Sequence, residues 1–242
     1  MSSLKPEIMF SNITDFIREV TAGREMILGT SSGVDSSLVL MLSVSVDRKR
    51  VHPFFLYDRA TPDSDFNDID LLERKAGVTI ERINIEPIER SFSGTVVTDS
   101  DPRIFGNVKA RIRMTILYYF SNLYSGMVLG TTNRTEYMLG YFTKYGDGAC
   151  DVEPIMHLHK NEVRILAEFA GVPESIIRKK PTAGLWEGQT DEGEIGISYD
   201  EIDRQLKSIE SSAEGKNVSK RILEMIASSE HKRRMPPSLL DK

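Results

Sequence analysis

Apolar positions change their rhythm along this 242-residue chain, and the changes separate helices from strands before any residue is given a role. In the opening segment Ile8, Ile13, Phe16, Ile17 and Val20 fall near helical spacing, and Gly23 follows as a stop. Met26-Ile27-Leu28-Gly29 is a short apolar run broken by Thr30-Ser31-Ser32-Gly33, after which 34–46 reads as a helix with Leu38, Leu40, Met41 and Leu42 available for burial. The unit then repeats: 52–56 is a second apolar strand, 63–77 a polar-faced helix ending at Gly77, and 78–85 a third strand. Further along, 107–124 reads as a long helix, 126–130 as a fourth strand, and 161–170 as a helix stopped by Gly171 and Pro173. Strands separated by helices imply parallel pairing with right-handed crossovers, so the pattern predicts an α/β fold, a doubly wound parallel sheet with flanking helices. After Pro181 the rhythm changes, with 185–203 rich in Gly and acids, and from Tyr199 onward two C-terminal helices end in His231-Lys232-Arg233-Arg234. No internal repeat or second domain is visible, so 1–242 is read as one domain.

In such sheets ligands bind beyond the carboxyl ends of the strands, where loops 29–36, 57–62 and 130–136 would converge. The first of these, Gly29-Thr30-Ser31-Ser32-Gly33-Val34-Asp35-Ser36, lies between a strand and a helix, where free backbone N–H groups and the helix dipole favour an anion. It lacks the Gly-Lys-Ser/Thr of a Walker loop and the GxGxxG of a dinucleotide fingerprint. Asp35 stands where a P-loop would carry a cation, and a carboxylate beside a polyphosphate makes physical sense when a hard cation lies between them, which implies magnesium. The plainer alternative is that Ser31, Ser32 and Asp35 only cap the helix.

Composition narrows the setting. A net charge of -5 argues against a nucleic-acid-binding face while leaving room for a local basic cleft. Cys150 is the single cysteine, which excludes an internal disulfide and gives no zinc or redox pair, so a reducing, cytoplasmic setting is expected. The first ten residues lack the apolar core of a signal peptide, and no stretch approaches ~18 apolar residues, so no membrane partner is expected.

Ser31-Ser32-Gly33-Val34-Asp35-Ser36 resembles the SGGxDS loop of the ATP pyrophosphatases, enzymes that split ATP between its α and β phosphates. It departs from that loop at Ser32, where Gly is usual, so the backbone there must accommodate a Cβ. Three further blocks follow in order: Gly106-Asn107 to Arg111, Arg113 and Met114; Gly130-Thr131 to Asn133 and Glu136; and a loop from Gly140 through Lys144, Asp147 and Asp151 to Ile155. Pro181-Thr182 to Trp186, Asp191 and Glu192 adds a fourth. Together, from about Leu28 to Arg233, these blocks resemble the NAD synthetase family.

That resemblance implies an adenine nucleotide alpha hydrolase-like, Rossmann-like fold and an ammonia-dependent ligase that converts deamido-NAD to NAD with ATP, without a glutaminase domain. It implies an ATP site of Gly29 to Ser36 with Thr131, Lys160 and Thr182, in which Asp35 and Glu136 hold magnesium. It gives deamido-NAD to Arg111, Lys144, Asp151, His231 and Lys232, and it implies a homodimer. From residue type alone, Lys160 reads as an exposed first-turn helix residue, and 231–234 as a solvated charge run. Arg59, in a loop that matches the family loosely, is a candidate to stack on adenine or a plain surface arginine. Trp186, between Gly184 and Gly188, suits a closing lid, a core position or a dimer interface. Cys150 reads as a small buried filler, and His52, His157 and His159 show no metal spacing.

The rival enzyme reading is a different ATP pyrophosphatase, tRNA-thiolating or GMP-forming. Thiolation would favour paired cysteines and a basic surface, and both are missing. A non-catalytic nucleotide sensor would leave Glu136, Lys144 and Asp151 without work.

Overall fold

The computed structural model describes residues 5–96, 101–182, 190–211 and 218–239. Among these residues a four-stranded parallel sheet runs in the order β3-β2-β1-β4, with β1 Met26–Gly29, β2 Val51–Tyr57, β3 Glu81–Asn84 and β4 Met127–Val128. The chain moves outward from β1 through β2 to β3 and then returns to β1's other side, so the strand order reverses between β1 and β4. Such a reversal opens a crevice at the carboxyl ends of the two strands.

Alternation along the strands feeds two cores. Met26, Leu28, Val51 and Phe55 pack with α1 (Pro6–Thr21), α2 (Val34–Asp47), α3 (Asp63–Ala76) and a later helix, Lys160–Phe169, on one face. Ile27, Phe54, Leu56 and Val128 pack on the other against Met114 and Leu117 of the helix Pro102–Tyr124. Met26, Ile27 and Leu28 are each fully buried, as a strand covered on both faces requires. In chain order the remaining helices are α4 (Glu86–Val96), α5 (Pro102–Tyr124), α6 (Arg134–Leu139), α7 (Lys160–Phe169), α8 (Glu174–Arg178), α9 (Asp191–Ile195), α10 (Tyr199–Ser211), α11 (Lys220–Ser228) and α12 (Glu230–Arg233). A third apolar cluster joins Leu139 of α6 to Ile195, Ile202, Leu206 and Ile222, which ties the C-terminal helices to the mouth of the crevice. No helix among the described residues is long and apolar enough to cross a membrane.

Four expectations shift. The third strand is shorter than 78–85, because Ile80 turns into the α3 side of the core and its N–H donates to Glu73 instead of a neighbouring strand. The fourth shrinks to two residues plus a parallel bridge between Leu129 and Val152. The helix expected at 107 starts at Pro102, where Asp101 caps it by accepting from the Arg103 N–H at 2.8 Å. Residues 134–136, expected within a loop, open α6 instead, nucleated by a capping box in which Asn133 and Glu136 bond each other's backbone N–H.

Candidate active site

At the carboxyl ends of β1 and β4 lies a cavity of about 590 Å³. Its floor is the whole of Gly29 to Ser36. The turn is held by its own hydroxyls: Ser36 Oγ accepts from the Ser31 N–H at 3.1 Å and donates to Gly33 O at 3.2 Å. No side chain caps α2, so the first-turn N–H groups and the positive end of the helix dipole remain for an anion. The capping alternative for Ser31, Ser32 and Asp35 is therefore not what the structure adopts.

Asp35 points across the crevice. Its Oδ1 accepts from Asn133 Nδ2 at 2.8 Å, and its Oδ2 from Lys160 Nζ at 2.5 Å. The same Nζ lies 3.3 Å from Glu136 Oε1, so an ammonium sits between two carboxylates. Lys160 is 2% exposed, not the surface residue its place in a first helical turn suggests. It is covered by the ring of Tyr199, with Nζ 5.1 Å from the centroid. Burial alone would pull the Lys160 ammonium down, but Asp35 and Glu136 hold it above the ordinary lysine range. Burial, with Asp35 and Asp191 nearby, pushes Glu136 up to about 8 against the pull of Lys160.

Two side chains set this geometry. Asn133, fully buried, caps α6 and holds Asp35 at once. Asp203 on α10 accepts from Thr135 Oγ1 at 2.5 Å and from the Asn161 N–H at 3.0 Å, locking the starts of α6 and α7 together. Thr135 Oγ1 also accepts from the Lys160 N–H at 3.1 Å, which fixes where the lysine side chain begins.

Thr131 and Thr182 line the cavity with Glu136, Lys160 and Lys232. Arg59 is exposed and does not line it; the adjoining Thr61 and Pro62 do. Arg113 lines the cavity, as Arg103 does, and donates to Leu56 O at 3.0 Å and to Asp58 Oδ2 at 3.2 Å. Asp58 also accepts from Lys109 Nζ at 2.8 Å, so a buried ion network supports the loop after β2.

Arg111, Lys144, Asp151 and His231 lie beside the cavity, and Lys232 joins them to its lining. Arg111 donates to Lys144 O at 3.3 and 3.2 Å, Lys144 Nζ donates to His231 O at 2.7 Å, and Lys232 Nζ reaches Gly140 O and Phe142 O, both at 2.7 Å. Segments from α5, the loop after α6 and α12 are thereby joined, and the basic run 231–234 is docked through Lys232 and Arg233. Asp151 is set apart from that chain, accepting from Tyr118 OH at 3.2 Å and the Val128 N–H at 2.8 Å. Trp186 lies outside the described residues. Cys150 is half-buried beside Glu153, and burial pushes its thiol well above the usual range, in keeping with a filler.

Asp191 belongs to the last of the family blocks, whereas Tyr199 carries no role by residue type. Asp191 accepts from Tyr199 OH at 2.9 Å and Tyr141 OH at 3.3 Å at the rear of the Lys160 cluster, and burial raises its carboxyl.

The NAD synthase family model matches residues 8–236. The NH(3)-dependent NAD(+) synthetase of Picrophilus torridus is 49% identical over 236 residues, covering 96% of this chain and 94% of that one. The protein of the same name from Pyrococcus furiosus is 39% identical, covering 98% and 95%. Among solved structures, an NMN synthetase from Francisella tularensis superposes with a TM-score of 0.88 at 32% identity, covering 98% of this chain and 99% of that one. An NH3-dependent NAD synthetase from Campylobacter jejuni superposes at 0.84 with 28% identity, covering 98% and 100%. An open helix N-terminus facing a carboxylate pair, matched along nearly the full length of such relatives, leaves one assignment: the chain belongs to the NAD synthase family.

Proposed function

We propose that this chain is an ammonia-dependent NAD synthetase, with ATP as co-substrate and deamido-NAD as the carboxylate substrate. One observation carries the site assignment: Lys160 Nζ lodged between Asp35 and Glu136, opposite the uncapped start of α2. The relatives that match end to end bear the same activity in their names.

The carboxylate pair fits a divalent cation. Two acidic side chains 15% and 17% exposed face one ammonium, and among the described residues no group of three or more His, Cys, Asp or Glu is arranged to hold a metal. A pair of hard carboxylate donors beside a phosphate-binding helix start befits magnesium arriving with ATP. Asp35 and Glu136 would hold it, and when bound it would neutralise charge on the phosphates.

The protein's own groups do the rest. N–H groups at the start of α2 take the phosphates, Lys160 supplies a fixed positive charge, and Thr131 and Thr182 offer hydroxyls. Arg111, Lys144, Asp151, His231 and Lys232 bind the anionic dinucleotide. A carboxylate resists ammonia because its oxygen is a poor leaving group. The nicotinate oxygen attacks the α phosphorus and expels diphosphate; ammonia nitrogen then attacks the acyl carbon, AMP departs with that oxygen, and the nitrogen releases a proton. Orientation by the two walls of the crevice supplies much of the acceleration.

On this reading 1–242 forms one synthetase domain, at work in the cytoplasm, away from nucleic acid and membrane. A homodimer is supported by the outer side of α5, where Ile104, Tyr119 and Leu123 are exposed along one long helix. A second reading, amidation of nicotinic acid mononucleotide, is favoured by the likeness to the Francisella NMN synthetase.

Phosphorus NMR of the protein with ATP, ammonium, deamido-NAD and graded magnesium tests all of this. AMP, diphosphate and NAD should rise together and only with magnesium. Faster turnover of the mononucleotide would move the second reading to the front, and unchanged ATP with both substrates would sink the ligase.

A further inference from the structure

We propose that Lys179 is a positioning residue for the phosphate loop, holding Ser32 in a left-handed conformation through the serine hydroxyl; this rests on the assignment of Gly29 to Ser36 to ATP. Ser32 has φ +61°, where the Cβ of an L residue crowds the chain and glycine is at ease. Its side chain is buried, and Oγ accepts from Lys179 Nζ at 2.9 Å. That Nζ is anchored in turn by Asp65 Oδ1 at 2.6 Å and Asp68 Oδ2 at 3.0 Å, one turn apart on α3. Asp68 is itself fixed by Ser175 Oγ of α8, at 2.8 Å.

The three partners account for all three protons of the ammonium. Lys179 lines the cavity, yet in this arrangement it faces protein oxygens. Its task therefore differs from that of Lys160. The residue that departs from the glycine of related loops has its hydroxyl tied to α3 and to the segment leading into Pro181 and Thr182. A hydrogen bond from a charged donor is strong enough to offset much of what the left-handed backbone costs. Without it, the turn that aims the loop's N–H groups relaxes, and the loss falls on ATP binding.

The test is steady-state KM for ATP beside the thermal midpoint. Ser32→Ala and Ser32→Gly both leave the Lys179 ion pairs intact, and KM should be about tenfold higher for alanine than for glycine. Lys179→Met should raise KM about tenfold beside Ser32 but less than about twofold in the Ser32→Gly background. Equal KM for the alanine and glycine variants would overturn the proposal. So would an equal effect of Lys179→Met in both backgrounds, which would mean that the lysine meets ATP directly or acts on the fold at large. If Lys179→Met does not fold, the unmodified protein decides beside the two variants: its KM should lie within about twofold of that of Ser32→Gly, and a KM equal to that of Ser32→Ala would overturn the proposal. Failure of the unmodified protein to bind ATP at all would overturn the phosphate-loop assignment itself, and the proposal with it.

Discussion

Replacing Lys160 by methionine removes the ammonium while keeping an unbranched side chain in its place. Nζ lies 2.5 Å from Asp35 Oδ2 and 3.3 Å from Glu136 Oε1, with the lysine side chain 2% exposed. At an effective dielectric near 20, each attraction is on the order of 5 kcal/mol. Desolvation of the buried ammonium offsets much of that sum, so the expected net loss of stability is about 3–5 kcal/mol, the range for breaking a buried pair. Most of the loss would come from two carboxylates left facing each other. Adding Glu136→Gln to Lys160→Met should therefore return about 1–3 kcal/mol without restoring turnover. Urea unfolding of the four chains, followed by circular dichroism in metal-free buffer near neutral pH, reads both quantities. A loss below about 1 kcal/mol, or no recovery in the double variant, would refute the reasoning.

Three further outcomes follow from the same geometry. At Gly140, φ is +65° and an added Cβ would sit 2.0 Å from Ser229 Cβ, so Gly140→Ala should cost about 3 kcal/mol or more and, by shifting the Gly140 carbonyl that receives Lys232, raise KM for deamido-NAD. Burial and the neighbouring Asp58 push Glu89 from an ordinary 4.5 up to about 7. The folded state then holds the extra proton, so stability present at low pH declines as pH rises from about 4.5 through 7, by on the order of 3 kcal/mol, and Glu89→Gln should flatten that slope in pH-dependent unfolding. Asp203→Ala removes the acceptor of Thr135 Oγ1 and the Asn161 N–H, and should lower stability by about 3 kcal/mol and kcat along with it, measured by denaturation and turnover on the same preparation.

The parallel sheet and its loops were legible because Gly29, Gly33 and Gly130 interrupt apolar runs that are otherwise strand-like, and because Asp35 is out of place in a bare helix start. Lys160 was legible only through its family resemblance. Alone, a lysine in a first helical turn reads as solvated, and its burial depends on Tyr199, 39 residues away on α10. Asn133 shows its capping role in the local pattern Asn-x-x-Glu, but its hold on Asp35 spans 98 positions and leaves no local trace. Arg113 sits within a helical rhythm beside Ala110 and Met114, and only the depth of the β2 loop turns it toward the cavity. Arg59 shows the converse: loop membership indicates proximity, while the direction of a side chain depends on neighbours such as Asp58, whose Oδ1 accepts from the Ala60 N–H and shapes the turn.

Asn133, Lys160 and Lys179 reach back to the first loop across 98, 125 and 147 positions. Such separations place the binding centre among the last parts of the molecule to assemble, since long-range closures come late and slowly. A growing chain would display Asp35 and the start of α2 well before the lysine that neutralises them has emerged. ATP affinity should therefore arrive abruptly with the completed fold, and nucleotide binding would serve as a sensitive reporter of the final step of refolding.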